Sequence, residues 1–448
     1  MLTKSEPLQF LQQFRHKLWK AYARRADALF ELGDALLLTV DPRSPVELST
    51  SPAFRRRFSM VYDALRQGQL PDEQARALLC EAEPLDAITL GGYALYAADS
   101  TPQPRRDAPT LPDRGKVYST QQGGPVVGQQ HSWLGRVVAQ GQSWFAPRDV
   151  ERIPTERTPA SVAAQQVLRL AATLAVGAMA VVVADSAYAQ VAFLSVFVGL
   201  TNVCALVRLA SNRVLSGPPP PPELNPQTGK RQKKGRPPLH GAKFRLKSPP
   251  PPERSLTFTV KDTAVRLSAW TRLHFKALPK LEGLVLRVEF LKADGCLKYQ
   301  RPLWLFWSGP STVALEHLCL MYLLRFVVEH FFRFLKQRLG VHCAQSTDAT
   351  AQRNWLWTVV FAYVQLMLAR SVVAAQPHPW EPRARRAPTG SLTPGQVRQA
   401  WSVFSRELET PAQAPRLTGK GVGRVAGFRP PPRPRYPVVS KTPKAAAV

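Results

Sequence analysis

The stretch AVVVADSAYAQVAFLSVFVGLTNVCALVRL, residues 180–209, decides the fold class. Its first five residues, Ala180 to Ala184, form a continuous apolar run like that of a strand buried on both faces, and Val203 to Leu209 form a second such run. Between the two runs, Ala187 to Val198 predicts a helix. Strands that alternate with helices are typical of an α/β sheet. The stretch therefore predicts an α/β core.

Further predicted elements of the core lie on both sides of this stretch. They are strands at Tyr93 to Ala98, Pro125 to Trp133 and Ser143 to Phe145, a helix at Ala160 to Ala175, a strand at Pro302 to Trp307, and long helices at Ser311 to Leu339 and Arg353 to Val373. We therefore predict a core in two parts, residues 89–211 and 301–375.

Residues 212–300 are predicted to interrupt this core. Two proline runs, at 218–222 directly after Gly217 and at 249–252, bracket a basic segment that cannot pack and is expected to be an exposed loop. Lys233, Lys234 and Arg236 lie in this segment as candidates for phosphate contacts. The following residues alternate as strands do, at Leu256 to Val260, Ala264 to Phe275 and Leu284 to Phe290. The interruption is therefore predicted to be rich in β-structure.

The two ends of the chain differ from the core. Residues 1–88 contain three helical patterns, at Leu8 to Leu38, Ser51 to Leu65 and Pro71 to Cys80, which predict an all-helical N-terminal domain. The second pattern carries the run Arg55 to Arg57, which is either a nucleic-acid contact or a solvated face. Residues 376–448 are rich in Pro, Gly and Arg, and we expect them to be disordered.

Charge and cysteine content restrict the partners and the compartment. Lys and Arg number 60 against 31 Asp and Glu, and this net charge of +29 predicts a polyanionic partner, with nucleic acid favoured over an anionic membrane surface. The most apolar stretch, Ala171 to Val183, is short for a membrane span. The five cysteines form no CxxC pair, which argues against disulfides and structural zinc. We therefore expect a cytoplasmic, nucleoid-associated protein.

Two aspartates occupy matching places in the predicted core. Asp99 closes the apolar run of one strand, and Asp185 closes that of another. The carboxyl ends of such strands are where an α/β sheet presents polar groups to a ligand. Each aspartate alone is also compatible with a helix N-cap or a turn. Two of them in one core favour a functional site.

A third carboxylate lies on the predicted helix around Arg325. At about 100° per residue, one face of this helix collects polar side chains and the other is apolar. The polar face comprises Tyr322, Arg325, Glu329, Arg333 and Lys336. A solvated face with an ion pair between Arg325 and Glu329 is the alternative interpretation.

Three acids beside cations suit phosphodiester chemistry. Carboxylates can hold a pair of Mg²⁺ ions that activate the attacking oxygen and stabilise the leaving oxygen, while Lys and Arg hold the phosphates. A set of carboxylates without a His or Cys cluster favours Mg²⁺, with Mn²⁺ possible in its place, over zinc.

These residues resemble the DDE transposases of bacterial insertion sequences, in the branch marked by a Tyr-(2)-Arg-(3)-Glu-(6)-Lys signature. The four residues that match its spacing are Tyr322, Arg325, Glu329 and Lys336. Two strand-terminal aspartates upstream, Tyr188 three residues after the second of them, and the β-rich interruption complete the likeness, which covers about residues 90–375. The resemblance implies a ribonuclease H-like mixed sheet flanked by helices and interrupted by the β-rich insertion.

The resemblance also implies a mechanism and partners. Asp99, Asp185 and Glu329 would hold two metal ions, and Tyr322, Arg325 and Lys336 would contact phosphates of the DNA. Arg333, on the same helix face, is a further candidate for DNA contact. The expected activity is cleavage at the terminal inverted repeats of a mobile element and transfer of the 3′ ends to target DNA, by a homodimer that bridges two ends. A catalytically inactive DNA-binding descendant and a structure-specific nuclease on the same core are the alternatives.

Overall fold

The computed structural model describes residues 5–119, 123–139, 143–221, 238–377, 379–380, 391–416, 427 and 432–439. The chain forms two compact units. Unit 1 comprises Met1–Ala87, Ser100–Thr158 and Val327–Val448, and unit 2 comprises Ile88–Asp99 and Pro159–Phe326.

Unit 2 is built on a large mixed sheet flanked by helices. Its strands are β1 (Thr89–Leu90), the first part of β2 (Tyr93–Pro104), β6 (Met179–Ala184), β7 (Val203–Leu209), β8 (Val214–Ser216), β9 (Lys243–Arg245), β10 (Arg254–Val260), β11 (Thr263–Phe275), β12 (Leu278–Phe290) and β13 (Leu303–Trp307). The helices are α5 (Pro159–Thr173), the single turn α6 (Val191–Leu194) and α7 (Leu315–Leu324).

The strands of unit 2 follow the order β2, β6, β7, β13, β12, β11, β8, β9, with β1 beside β2 and β10 beside β11. The β2–β6 and β6–β7 pairs are parallel, and the β7–β13, β13–β12 and β12–β11 pairs are antiparallel. The prediction of a mixed α/β class is confirmed. The strands predicted at 256–260, 264–275, 284–290 and 302–307 are present as β10 to β13.

Two predicted helices of the core are shorter than expected. Ala187 to Val198 contains only α6 between two short 3₁₀ turns. The Phe193 ring packs edge to face against the rings of Tyr188 and Phe197, 5.3 Å from each. The helix predicted at Ser311 to Leu339 is two helices, since α7 ends at Leu324. There the N–H groups of Arg325 and Phe326 bond to carbonyls only three residues back, which tightens the chain into a turn.

Unit 1 contains helices from both ends of the chain and a small sheet. Its helices are α1 (Ser5–Ala21), α2 (Ala26–Leu38), α3 (Ser59–Gln67), α4 (Asp72–Glu81), α8 (Val327–Gln337), α9 (Ala349–Ala369) and α10 (Pro394–Phe404). Strands β3 (Gly115–Ser119), β4 (Gly124–Val137) and β5 (Phe145–Ile153) pair antiparallel, and the second part of β2 lies beside β4.

Helix α9 is the centre of unit 1. Nearly all of its side chains are buried, and α1, α2, α3 and α10 pack against it. The Asn354 side-chain amide donates to the carbonyls of Leu65 and Gly68, both at 2.8 Å, and so ties α9 to the end of α3. The predicted N-terminal segments contain α1 to α4, but the helix predicted over 8–38 is interrupted at residues 22–25, and residues 51–58 are not helical. Helices α1, α2 and α3 share a core with α9 from a later part of the chain.

The structure corrects the prediction that Arg55 to Arg57 lie on a helix. This run is not helical, because α3 begins only at Ser59. Arg55 and Arg56 lie 2.7 and 3.1 Å from the carboxylate of Glu31, which is 1% exposed. Their guanidinium groups also donate to backbone carbonyls of the C-terminal segment, at 2.7 Å each. A buried carboxylate requires such partners, so two of the three arginines stabilise unit 1.

Part of the C-terminal segment that we expected to be disordered is ordered. Helix α10 begins with a capping box between Thr393 and Gln396 and buries Trp401 and Phe404. Further on, the Tyr436 N–H donates to the Pro109 carbonyl at 3.0 Å, and Val439 bridges to β3. This part of the segment is ordered because apolar residues spaced along one helix face can pack even in a proline-rich sequence.

Lys233, Lys234 and Arg236 lie outside the described residues. In the part of the chain that is described, no helix has both the length and the apolar character needed to cross a membrane.

Replacement of Trp401 by alanine tests whether α10 belongs to the core. Trp401 is 1% exposed, so Trp401→Ala should lower the free energy of unfolding by about 3–5 kcal/mol. Trp380→Ala is the matched control, because Trp380 is 77% exposed and its loss should change the free energy by less than about 0.5 kcal/mol. Urea unfolding measures both. Equal, small effects would mean that α10 does not pack.

Two histidines of unit 1 remain neutral at low pH. His131 on β4 is buried, and burial together with the nearby Arg152 and Arg105 lowers its pKa to about 3. Burial and the positive charges of Lys336 and Arg105 likewise lower the pKa of His342 to about 3. An unfolded chain protonates both imidazoles near pH 6.5. Unfolding therefore takes up protons between about pH 6.5 and pH 3.

Stability should consequently fall as the pH falls through this window, by about 1.4 kcal/mol per pH unit for each histidine. The double variant His131→Asn, His342→Asn should have a flatter dependence of unfolding free energy on pH. His16→Asn serves as the control, because His16 is exposed. Denaturant titrations between pH 4 and pH 8 measure the slopes. A double variant with the slope of the wild type would contradict the assignment.

Candidate active site

The pairing of β2 with β6 places the two predicted aspartates side by side. Ala97 pairs with Val183 in parallel register, so Asp99 and Asp185 follow two residues later on neighbouring strands. Residues in register on adjacent strands point to the same face, with the strands about 4.8 Å apart. One detail of the prediction is wrong, because β2 does not end at Asp99 but runs to Pro104. Its second part is held by β4 in unit 1.

Asp185 follows β6 directly and is half-buried. Its Oδ1 accepts a hydrogen bond from the Ala187 N–H at 2.9 Å and caps the 3₁₀ turn Ser186–Tyr188. The capping role that the sequence allowed is therefore confirmed for this oxygen. The other oxygen, Oδ2, has no hydrogen-bond partner among the described residues, so the carboxylate can still act as a ligand.

Asp99 is paired with Arg325. The Arg325 Nη1 donates to Asp99 Oδ2 at 2.7 Å, and each side chain is 15% exposed. Burial acts to lower the pKa of Arg325, but attraction to Asp99, Tyr322 and Asp185 outweighs it, and the pKa lies above its ordinary value. Arg325 is therefore a fixed positive charge that faces both aspartates.

Tyr322 lies one helical turn before Arg325 on α7, with its ring 6.0 Å from the guanidinium carbon. Burial raises the pKa of its hydroxyl, and the positive charges of Arg325 and Arg208 offset this only in part. The hydroxyl is therefore protonated at neutral pH and can donate a hydrogen bond to an anion.

Arg208 belongs to this site, although the sequence interpretation missed it. Ala184 pairs with Val207 in parallel register, so Arg208 on β7 follows beside Asp185. The side chain is exposed and has no ion pair or hydrogen bond within the described ranges. The sequence does contain a feature that could have identified Arg208, since it is the one charged residue in the otherwise apolar run Val203 to Leu209.

The remaining predicted residues, Glu329, Arg333 and Lys336, lie on α8 in unit 1. Glu329 and Arg333 are exposed, and Lys336 is half-buried with its ammonium 5.9 Å from the Phe332 ring. The opposite face of α8 is apolar, as predicted, with Phe331 and Phe332 against Trp133. Convergence of Glu329 with the two aspartates stays a prediction.

Unit 2 thus brings together Asp99, Asp185, Tyr322, Arg325 and the unforeseen Arg208. Over the described residues, no three His, Cys, Asp or Glu side chains form a group that could hold a metal ion. Asp99 and Asp185 nevertheless supply hard oxygen donors from neighbouring strands, and such donors fit Mg²⁺ or Mn²⁺. The site therefore combines two carboxylates that could bind a cation with three side chains, Arg208, Tyr322 and Arg325, that could donate hydrogen bonds to an anion.

The Asp99–Arg325 ion pair can be tested by a double-mutant cycle. Arg325→Gln should lower the free energy of unfolding by about 3–5 kcal/mol, because it leaves a largely buried carboxylate without its cation. The double variant with Asp99→Asn should recover about 1–3 kcal/mol as a coupling energy. Arg208→Gln is the control and should cost less than about 0.5 kcal/mol. Additive effects of the two substitutions in urea unfolding would show that no pair exists.

A family model described as DDE superfamily endonuclease matches residues 9–275. The matched range contains Asp99, Asp185 and Arg208 and ends before α7 and α8. No curated protein matches the chain.

Proposed function

Because this chain belongs to the DDE superfamily of endonucleases, we propose that it is a DNA transposase, which cleaves the strands at the ends of its mobile element and transfers the 3′ ends to target DNA. The observation that carries this proposal is the register of β2 and β6, which sets Asp99 beside Asp185. Membership of the family implies that DNA is the substrate. Strand transfer and the use of terminal inverted repeats are proposed from the resemblance of the sequence.

In the proposal, Asp99 and Asp185 hold divalent metal ions, with Mg²⁺ as the expected ion and Mn²⁺ as a substitute. Asp185 Oδ2 is available for this role, and at Asp99 the ion would take the place that Arg325 holds at Oδ2. Glu329 is proposed as the third ligand on the spacing of Tyr322, Arg325, Glu329 and Lys336 alone. When bound, two such ions activate the attacking oxygen and stabilise the leaving oxygen of an in-line displacement.

The chain's own side chains position the DNA. Arg208 and Arg325 can each bind a phosphate oxygen, and the Tyr322 hydroxyl can donate a hydrogen bond to one. In the first step a water oxygen bonds to phosphorus and the 3′ oxygen leaves as a hydroxyl. In the second step, that hydroxyl attacks a target phosphodiester and displaces another 3′ oxygen. This second step forms one phosphodiester bond for the one that it breaks.

The other contacts that we propose are more diffuse. Arg333 and Lys336 on α8 are proposed to contact DNA near the cleaved bond, and Lys233, Lys234 and Arg236 to add attraction that does not depend on sequence. We also propose a ribonuclease H-like arrangement of the core with residues 212–300 as its insertion. A homodimer is proposed to bring two element ends together.

Asp185→Asn tests the proposed chemistry. The substitution removes one negative charge, so divalent-ion-dependent cleavage of DNA should fall by a factor of about 10³ or more, while DNA binding is unchanged or tighter through reduced repulsion. The measurements are cleavage of supercoiled DNA in Mg²⁺ or Mn²⁺ and binding to a duplex.

Asp294→Asn is a matched control, because Asp294 also accepts a hydrogen bond at 2.9 Å from the N–H two residues later. It should leave cleavage unchanged. Loss of cleavage and binding together in Asp185→Asn would indicate a folding defect. A wild-type chain that binds DNA but does not cleave it in either ion would identify the catalytically inactive DNA-binding protein instead.

A further inference from the structure

Arg325 and a divalent ion compete for the same carboxylate. The guanidinium donates to Asp99 Oδ2 at 2.7 Å, within a pair whose side chains are each 15% exposed. A divalent ion bound at Asp99 would lie only a few ångströms from this positive charge, and like charges at such distances repel strongly where water is largely excluded. The ion can therefore bind Asp99 well only after Arg325 has moved.

Arg325 cannot be neutralised by losing its proton, since a guanidinium remains charged at every pH at which proteins fold. What can draw it from Asp99 is another anion of suitable geometry. A phosphodiester presents two such oxygens and binds guanidinium through parallel hydrogen bonds. Arg325 lies in the turn after α7, beyond the last regular helical residue, Leu324.

We propose that Arg325 takes the place of a divalent cation at Asp99 while no DNA is bound, and that a DNA phosphate draws Arg325 away and thereby raises the affinity of Asp99 and Asp185 for Mg²⁺ or Mn²⁺. This inference rests on the proposed function and adds a means of regulation to the same site. Binding of phosphate and binding of metal then strengthen each other by the same factor, as linkage requires. The site is loaded with metal mainly on DNA.

Arg208 provides an internal comparison. It lies beside Asp185 by register and is close enough to Tyr322 to influence the pKa of its hydroxyl, but it has no ion pair within the described part of the chain. If proximity of positive charge alone opposed metal binding, Arg208 and Arg325 would have similar effects. If the direct contact with Asp99 matters, only Arg325 has a large effect.

The experiment measures binding of Mn²⁺ by the paramagnetic resonance signal of the free ion. Wild type, Arg325→Gln and Arg208→Gln are compared without DNA and with a duplex of random sequence, corrected for the duplex alone. Without DNA, Arg325→Gln should bind Mn²⁺ about 5- to 150-fold more tightly than wild type. Arg208→Gln should remain within about threefold of wild type, because its charge is exposed and screened. The duplex should tighten binding in wild type and much less in Arg325→Gln.

Three results would overturn the inference: no gain in Arg325→Gln, equal gains in both variants, or an equal effect of the duplex on wild type and Arg325→Gln. Arg325→Lys, which keeps the charge but not the planar donors, should give an intermediate affinity and serves if Arg325→Gln does not fold. Adding Asp185→Asn distinguishes failure of the proposed metal site from failure of the role inferred for Arg325. If it leaves Mn²⁺ affinity unchanged, the metal site of the proposed function is wrong; if it abolishes binding, only the role of Arg325 is in question.

Discussion

Parallel pairing of β2 with β6 places Ala97 opposite Val183, and the geometry of the site follows from that register. A slip of one residue would turn the Asp99 side chain to the other face of the sheet, away from Asp185. The second parallel pair, β6 with β7, extends the same row to Arg208. Three charged side chains, each on or directly after one of three neighbouring strands, therefore share one face because they stand in register.

Two neighbouring, partly buried carboxylates repel each other, and this repulsion destabilises their ionised forms unless a positive charge lies close by. In unit 2 that charge comes from Arg325, which contacts Asp99 directly and is also attracted by Asp185. The contact offsets this repulsion in the protein without metal. In the proposed regulation, phosphate and metal together replace what each member of the pair loses.

Part of the positive charge of the chain serves folding. Arg55 and Arg56 hold the buried Glu31, and their second contacts secure the C-terminal segment. Arg15 binds Asp34 at 2.7 Å with 4% of its side chain exposed. These arginines are held by acidic partners, so they are not free to bind a polyanion. Arg208 and Arg333, by contrast, are exposed and have no ion pair or hydrogen bond in the described part of the chain.

The evidence for the proposed chemistry comes from two separate stretches. The family match covers residues 9–275 and contains both aspartates, whereas the Tyr-Arg-Glu-Lys spacing lies wholly beyond it, at 322–336. The α/β class, β6, β7, α9 and the apolar face of α8 could be predicted from the sequence, because each depends on a period or a run within one segment. The same is true of the positions of Asp99 and Asp185, each directly after an apolar run. Tertiary structure alone decided that Arg325 pairs with Asp99, 226 residues away, that Arg208 lies beside Asp185, that the predicted helix breaks after Leu324, and that α10 packs in unit 1. The physical reason is that strand register, ion pairing and burial depend on contacts between distant segments, which no local periodicity specifies.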